Sequence, residues 1–194
     1  MAHRFSHAIA EGDGISVIAA VEDPASARAA EEQRAEALVV RGDPAALRAA
    51  TGLPILWRAD VPLDEASRSA DAYLLVFDVL GEEDGRLEEL HRRALELGLD
   101  CAVEVRDEEE LEQALDRVDP EIFLLSPAEA DDDESPLEVV LDLLAAVPAG
   151  KLAIADLPLT TPGDVLELER AGCDAVIVHG TEIAPLAGGP PPEV

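Results

Sequence analysis

Short apolar runs of strand length alternate along the whole chain with longer charged runs of helical period. The apolar runs Ile15–Ala20, Ala37–Arg41, Pro54–Arg58, Ala72–Phe77, Cys101–Val105, Ile122–Leu125, Leu152–Ala155 and Ala175–Val178 predict eight strands. They are continuously apolar and too short for amphipathic helices, which is how parallel strands covered on both faces read. Between them Pro24–Ala35, Pro44–Ala50, Asp64–Ala70, Gly85–Leu97, Glu108–Arg117, Pro136–Val147 and Pro162–Arg170 carry apolar residues at helical spacing, with Glu and Arg on the opposite face. These predict helices.

The helix starts are marked by Asp23-Pro24, Asp43-Pro44, Ser135-Pro136 and Thr161-Pro162, each a capping side chain before a proline at the first helical position. Gly52, Gly98 and Gly172 punctuate other ends. Parallel strands need right-handed crossovers, so eight βα units in succession predict an α/β fold, a compact (βα)8 TIM barrel, over an open sheet. Residues 1–187 are read as one barrel domain and the breaker-rich 188–194 as a disordered Pro/Gly tail. After the last strand only Thr181–Leu186 precedes that tail, so the eighth helix is expected to be truncated or missing. The outer face of the last and first strands then needs a cover, either Arg4–Ala10 or a second copy of the chain; a homodimer through that face is the expectation.

Composition narrows the function classes. The 194 residues carry 43 Asp and Glu against 14 Lys and Arg, a net charge of −29. A carboxylate-rich surface repels phosphate backbones and anionic lipid, which argues against nucleic-acid and membrane partners. No apolar run approaches the ~20 residues of a membrane span, and MAHRFSHAIAEGDG lacks a secretory apolar core, so a cytoplasmic protein is expected. Cys101 and Cys173 sit singly in apolar runs and are read as buried and reduced. The single lysine, Lys151, with arginine at every other basic position, suits a GC-rich genome or a salt-adapted cytoplasm.

In such barrels chemistry sits at the C-terminal strand ends. Those ends read Gly14-Ile-Ser-Val-Ile-Ala-Ala-Val-Glu22, Leu53-Pro-Ile-Leu-Trp-Arg58, Ala70-Asp-Ala-Tyr-Leu-Leu75, Cys101-Ala-Val-Glu-Val-Arg-Asp-Glu-Glu-Glu-Leu111 and Ala171-Gly-Cys-Asp-Ala-Val-Ile-Val178. The series resembles the indole-3-glycerol phosphate synthase family, whose runs "ISVIAEVK", "LPVLRKDF", "ADAILL", "LVEVHDEEEL" and "GADAVLVGE" follow in the same order. The resemblance covers roughly Phe5 to Ile183. It implies a phosphate-binding barrel and a carbon-carbon lyase of tryptophan biosynthesis that closes an indole ring by decarboxylation and dehydration. No cofactor is implied.

Carried over position by position, the resemblance implies a changed site. The glutamate and lysine ending the family's first strand fall on Ala20 and Glu22. The third-strand lysine falls on Arg58, which keeps the charge but is a poor proton donor because guanidinium stays protonated above pH ~12. The fifth-strand glutamate is retained as Glu104, either a catalytic carboxylate or a structural partner of Arg106 two residues on, on the same side of the strand. The family's paired asparagines fall on Leu125-Ser126, and its "SESG" run on Ala155-Asp-Leu-Pro158. Val178-His-Gly-Thr-Glu-Ile183 reads as the family's valine-glycine loop with His179 inserted, so that Gly180 and Thr181 form a phosphate seat or merely cap a short helix. The candidate catalytic residues are Glu104, Arg58 and Ser126, and the ligand-binding ones Arg58, Gly180 and Thr181; no metal site is assigned.

Lys151 precedes the seventh strand and is expected at the opposite face of the barrel, which leaves no lysine at the mouth. The leading expectation is a shortened, catalytically degenerate relative that retains a small anionic phosphorylated ligand. Two alternatives stand beside it. Glu22, Asp60, Asp78, Glu104, Asp156 and His179 offer carboxylates and an imidazole for metal-assisted chemistry. A non-enzymatic scaffold or regulatory subunit would instead fill its mouth with Trp57, Phe77, Leu125 and Leu157. His3 and His7 are read as solvated, His91 as surface, and Asp131–Glu134 as charge favouring the start of the following helix.

Overall fold

All eight apolar runs are strands: β1 (Ser16–Ala20), β2 (Ala37–Val40), β3 (Ile55–Arg58), β4 (Ala72–Val76), β5 (Asp100–Val105), β6 (Ile122–Leu125), β7 (Leu152–Ala155) and β8 (Ala175–His179). Each pairs in parallel with the next, and β8 pairs with β1 to close the barrel. The helices are α1 (Arg4–Ala10), α2 (Pro24–Glu32), α3 (Pro44–Arg48), α4 (Leu63–Ala66), α5 (Phe77–Leu80), α6 (Arg86–Glu96), α7 (Glu108–Arg117), α8 (Pro136–Ala146) and α9 (Pro162–Ala171). The structure is a computed structural model and describes residues 4–11, 14–58, 63–80, 85–127, 135–159, 161–180 and 183. The proposed tail at 188–194 and all of Thr181–Leu186 except Ile183 lie outside the described residues.

The period-2 alternation of each strand divides its side chains between the barrel lumen and the helix layer. Ile18, Leu56, Leu74, Ala102, Leu124, Ile154 and Ile177 form a buried inner cluster. Their strand neighbours, among them Trp57, Leu75, Val103, Phe123 and Val176, form the larger outer cluster with the helices. The register keeps the sets apart, because Ile18 pairs with Ile177, Leu124 with Ile154, and Ala20 with His179. Two residues further along the inner rows, β3, β5, β6, β7 and β8 bring Arg58, Glu104, Ser126, Asp156 and His179 to the mouth, whereas β1 and β4 bring the apolar Ala20 and Val76.

The floor is closed by α1. Phe5 and Ile9, one helical turn apart, are buried in the inner cluster. The helix start is anchored where the backbone N–H of Ser6 donates to Asp100 Oδ2 at 2.8 Å. Arg4 also donates to the Gly52 carbonyl and lies 3.6 Å from Asp71. Arg4–Ala10 is thus a plug in the N-terminal opening and not a cover for the outer face of β8 and β1.

No helix follows β8 among the described residues, yet that outer face is not bare. Val176 and Val178 of β8 and Val17 and Ala19 of β1 are buried within the single chain, in one apolar cluster with Ile183. Ile183 is tied down by its backbone N–H, which donates to Gln33 Oε1 at the end of α2 at 2.8 Å. This face is therefore buried within the single chain, with Ile183 in the same apolar cluster.

Local signals explain the helix positions. Asp23 and Thr161 form capping boxes with Ser26 and Asp164. Asp43 accepts from Ala45 N at 2.9 Å, whereas Ser135 makes no side-chain cap. Gly172 ends α9 at φ 94°, a left-handed conformation that favours glycine. Cys101 and Cys173 are buried and unbridged. His91 is half-buried rather than surface, and burial lowers its pKa.

Candidate functional site

The last inward residue of several strands meets at the C-terminal mouth. Arg58 ends β3 and reaches across β4 to Glu104 of β5, placing Nη2 3.1 Å from Oε1 and 2.9 Å from Oε2. The guanidinium hydrogen is directed at Oε1, so Oε2 has the closer charge contact but no directed hydrogen bond among the described residues. The other arm of Arg58, Nη1, stands 3.8 Å from Asp156 Oδ2, just past β7. Asp156 Oδ1 in turn lies 2.6 Å from Nε2 of His179, the last residue of β8. A carboxylate only accepts, so the imidazole places its proton on Nε2. The result is a chain of alternating charge, Glu104–Arg58–Asp156–His179, laid across the mouth.

Burial and charge act against each other in this chain. Glu104 is 4% exposed. Burial pushes its carboxyl above the ordinary value; Arg58 opposes the shift, Asp156 adds to it, and Arg41 and the Ser126 hydroxyl oppose it further. His179 is also raised, first by its hydrogen bond to Asp156, while burial and the charges of Arg41 and Arg58 work in the other direction. The mouth therefore holds one carboxyl biased toward its protonated form and one imidazole biased toward its cation.

Beside the chain of charges opens a cavity of about 760 Å³, lined on one side by Arg58, Asp156, His179 and Gly180 and on the other by Asp23 and Arg41. A recess of about 360 Å³ shares Arg41 and Arg58 and is walled by residues of β4 and α5, including Tyr73 and Leu80. Such volumes suit a small molecule. Another hollow, of about 510 Å³, lies between Arg106 and α8, outside the strand ends.

Of the residues singled out in the sequence, Arg58 and Glu104 are brought into contact, Ser126 acts on the Glu104 carboxylate, and Gly180 lines the same cavity as Arg58. Thr181 and Asp60, and the side chain of Asp78, lie outside the described residues. Arg106 is not the partner of Glu104; it lies 3.5 Å from Glu110, one helical turn along the chain. Trp57, Phe77, Leu125 and Leu157 do not fill the mouth: they belong to the outer cluster, and Trp57 Nε1 donates to the Gly42 carbonyl at 3.0 Å. Lys151 stands before β7 and pairs with Asp119 at 2.6 Å, away from the strand ends that bear the site. Among the described residues no three His, Cys, Asp or Glu side chains converge as a metal-ligand set.

The sequence reading did not single out Arg41, and weighed Asp156 and His179 only as metal donors. The signal was strand parity. Ala37 and Val39 face inward, as do Ala175 and Ile177, so the next residues in step are Arg41 and His179.

A family model described as "Indole-3-glycerol phosphate synthase" matches residues 60–184, roughly two thirds of the chain. Two curated proteins named indole-3-glycerol phosphate synthase are similar. That of Geobacillus sp. (strain WCH70) is 33% identical over 144 residues, 71% of this chain and 55% of the relative. That of Magnetococcus marinus is 34% identical over 138 residues, 69% of this chain and 50% of the relative. The chain thus spans about half the length of these relatives. Among solved structures, an N-acetylmannosamine-6-phosphate 2-epimerase from Clostridium perfringens superposes with a TM-score of 0.69 at 14% identity, covering 89% of this chain and 88% of its own. A thiamine phosphate pyrophosphorylase from Pyrococcus furiosus gives 0.63 at 19%, covering 85% of each. At those identities the two structures speak for the barrel fold alone.

Proposed function

Given that this chain belongs to the indole-3-glycerol phosphate synthase family, we propose that it is a member which holds a small anionic, phosphorylated ligand at its mouth without closing an indole ring. One observation carries the reading. Arg58, at the position where the family places a lysine, has one arm on Glu104 and the other facing Asp156. A guanidinium keeps its protons at any physiological pH, so this cation orients carboxylates and ligand but does not deliver a proton to a leaving hydroxyl.

The neighbouring positions support the same reading. The family's first-strand glutamate and lysine are replaced by Ala20 and Glu22, both lining the cavity. The only lysine is on the far side, bound to Asp119. What remains is a polar mouth: Glu104 as a buried carboxyl that accepts from Arg58, Ser126 as a hydroxyl beside it, and His179 as a cation-prone donor held by Asp156. The open cavity leaves room for a sugar-phosphate-sized molecule, and the absence of the bulky outer-layer residues from it favours ligand binding over a filled scaffold.

The test is steady-state turnover of carboxyphenylaminodeoxyribulose phosphate, followed by indole fluorescence. The expected result is no product above the protein-free control. Turnover in the usual enzymatic range of about 1–10³ s⁻¹ would overturn the reading.

A further inference from the structure

Arg41 differs from the other cations of the mouth in acting on Glu104 and His179 through its charge without a direct contact among the described residues. It follows β2 on the inward row, is exposed, and lines both the larger cavity and the adjoining recess. Among the described residues it makes no hydrogen bond or ion pair, although this chain carries 43 acidic side chains against 14 basic ones. Arg58 in the same cavity is paired, as are Arg4, Arg48, Arg86, Arg92 and Arg93 elsewhere. Arg28, Arg34, Arg68 and Arg170 line neither space. A guanidinium facing a cavity without such a direct contact is a fork of donors suited to a planar or tetrahedral oxyanion.

Its surroundings have the matching shape. Gly42 follows directly, and Gly180 stands on the β8 side of the same cavity; a Cβ at either would meet nothing within 4 Å, so the approach is open. His179 lines the same cavity and offers a second positive charge, its ring held through Nε2 by Asp156. Of the three carboxylates lining the cavity, Asp156 faces Arg58 and His179, and the other two act differently from each other. Asp23 is already occupied, accepting the backbone N–H groups of Ala25 and Ser26 at 2.8 Å each. Glu22 is exposed and lines the cavity, and its carboxylate opposes an incoming anion.

We infer that Arg41, with His179 opposite, seats the phosphate group of a phosphate monoester on the β2 and β8 side of the mouth. The inference rests on the anion-holding reading above and deepens it by assigning the residue that recognises the charge. Arg58 stays with its carboxylates and lines the wall of the seat, while Glu22 sets how strongly the anion is held.

The experiment titrates the full chain with inorganic phosphate at constant ionic strength, by calorimetry and ³¹P line broadening, for wild type, Arg41→Ala, Arg41→Lys and Glu22→Gln. Expected are saturable millimolar or tighter binding by wild type, about ten- to hundredfold weakening in Arg41→Ala, partial recovery in Arg41→Lys and tighter binding in Glu22→Gln. Circular dichroism of the exposed Arg41 variants is expected to match wild type. Binding by wild type that survives unchanged in Arg41→Ala overturns the assignment of Arg41 but leaves the anion-holding reading standing. No binding by wild type in the millimolar range overturns both.

Discussion

Replacing Arg58 by methionine removes the cation from a carboxylate whose side chain is only 5% exposed, and from Asp156, whose side chain is 12% exposed. Breaking a buried pair by deleting one partner costs about 3–5 kcal/mol, because the other charge is left without compensation. Arg58 is itself 25% exposed at its side chain, which admits solvent screening. Glu104 also has an escape route, since it can take up a proton. We therefore expect a loss of about 2–3 kcal/mol at pH 8, or roughly 4–12 °C in Tm for a domain of this size. The sign of the pH dependence follows from Glu104. Its folded pKa is raised by burial and rises further without Arg58, so the penalty is small below the unfolded value near 4.3 and grows as pH rises through the folded one. Urea unfolding of wild type and Arg58→Met at pH 5 and pH 8 measures this directly. The double variant Arg58→Met with Glu104→Met is expected to recover most of the loss. A loss below about 0.5 kcal/mol at both pH values, or one that grows on acidification, would refute the reasoning.

Two other perturbations bear on the mouth and the floor. His179 has a raised folded pKa from Asp156, with Arg41 and Arg58 opposing and Glu104 one step further along the chain of charges. Its stabilising contribution is therefore complete below the unfolded value near 6.5 and is lost as pH rises through the higher folded value; the stability difference between wild type and His179→Gln should shrink from pH 6 to pH 9. Phe5→Ala removes the main apolar side chain of the floor plug and should cost about 3–5 kcal/mol in urea unfolding, with a lower Tm. A loss near zero would mean that α1 does not seal the barrel.

The strand count, the closure and most helix starts were legible in the sequence because they depend on local pattern: apolar runs of four to six residues, and Asp or Thr before proline. The end plug was not. Phe5 and Ile9 have the spacing of any amphipathic helix, and nothing local says whether that face meets the side of a barrel or its floor. The cover over β8 and β1 escaped for a related reason, since a single isoleucine anchored by Gln33 150 residues earlier carries no periodic signal. At the mouth, Glu104 and Arg58 were found by likeness to a known series, but their contact spans 46 positions and only the closed ring creates it. The nearer partner suggested by the sequence, Arg106, lies beyond the strand end and turns toward Glu110 of α7. Arg41 was passed over although it ends the predicted strand Ala37–Arg41, because the row it continues, Ala37 and Val39, faces inward only once the strand is assigned two sides.

The claim that matters most is that this mouth binds without performing ring closure. Its most direct test is a single-turnover mixing experiment with protein in excess over carboxyphenylaminodeoxyribulose phosphate, reading bound ligand and indole emission from the same sample. The account predicts a saturable bound fraction and a flat emission trace over many minutes. Indole emission rising to the stoichiometry of the ligand within seconds would contradict it.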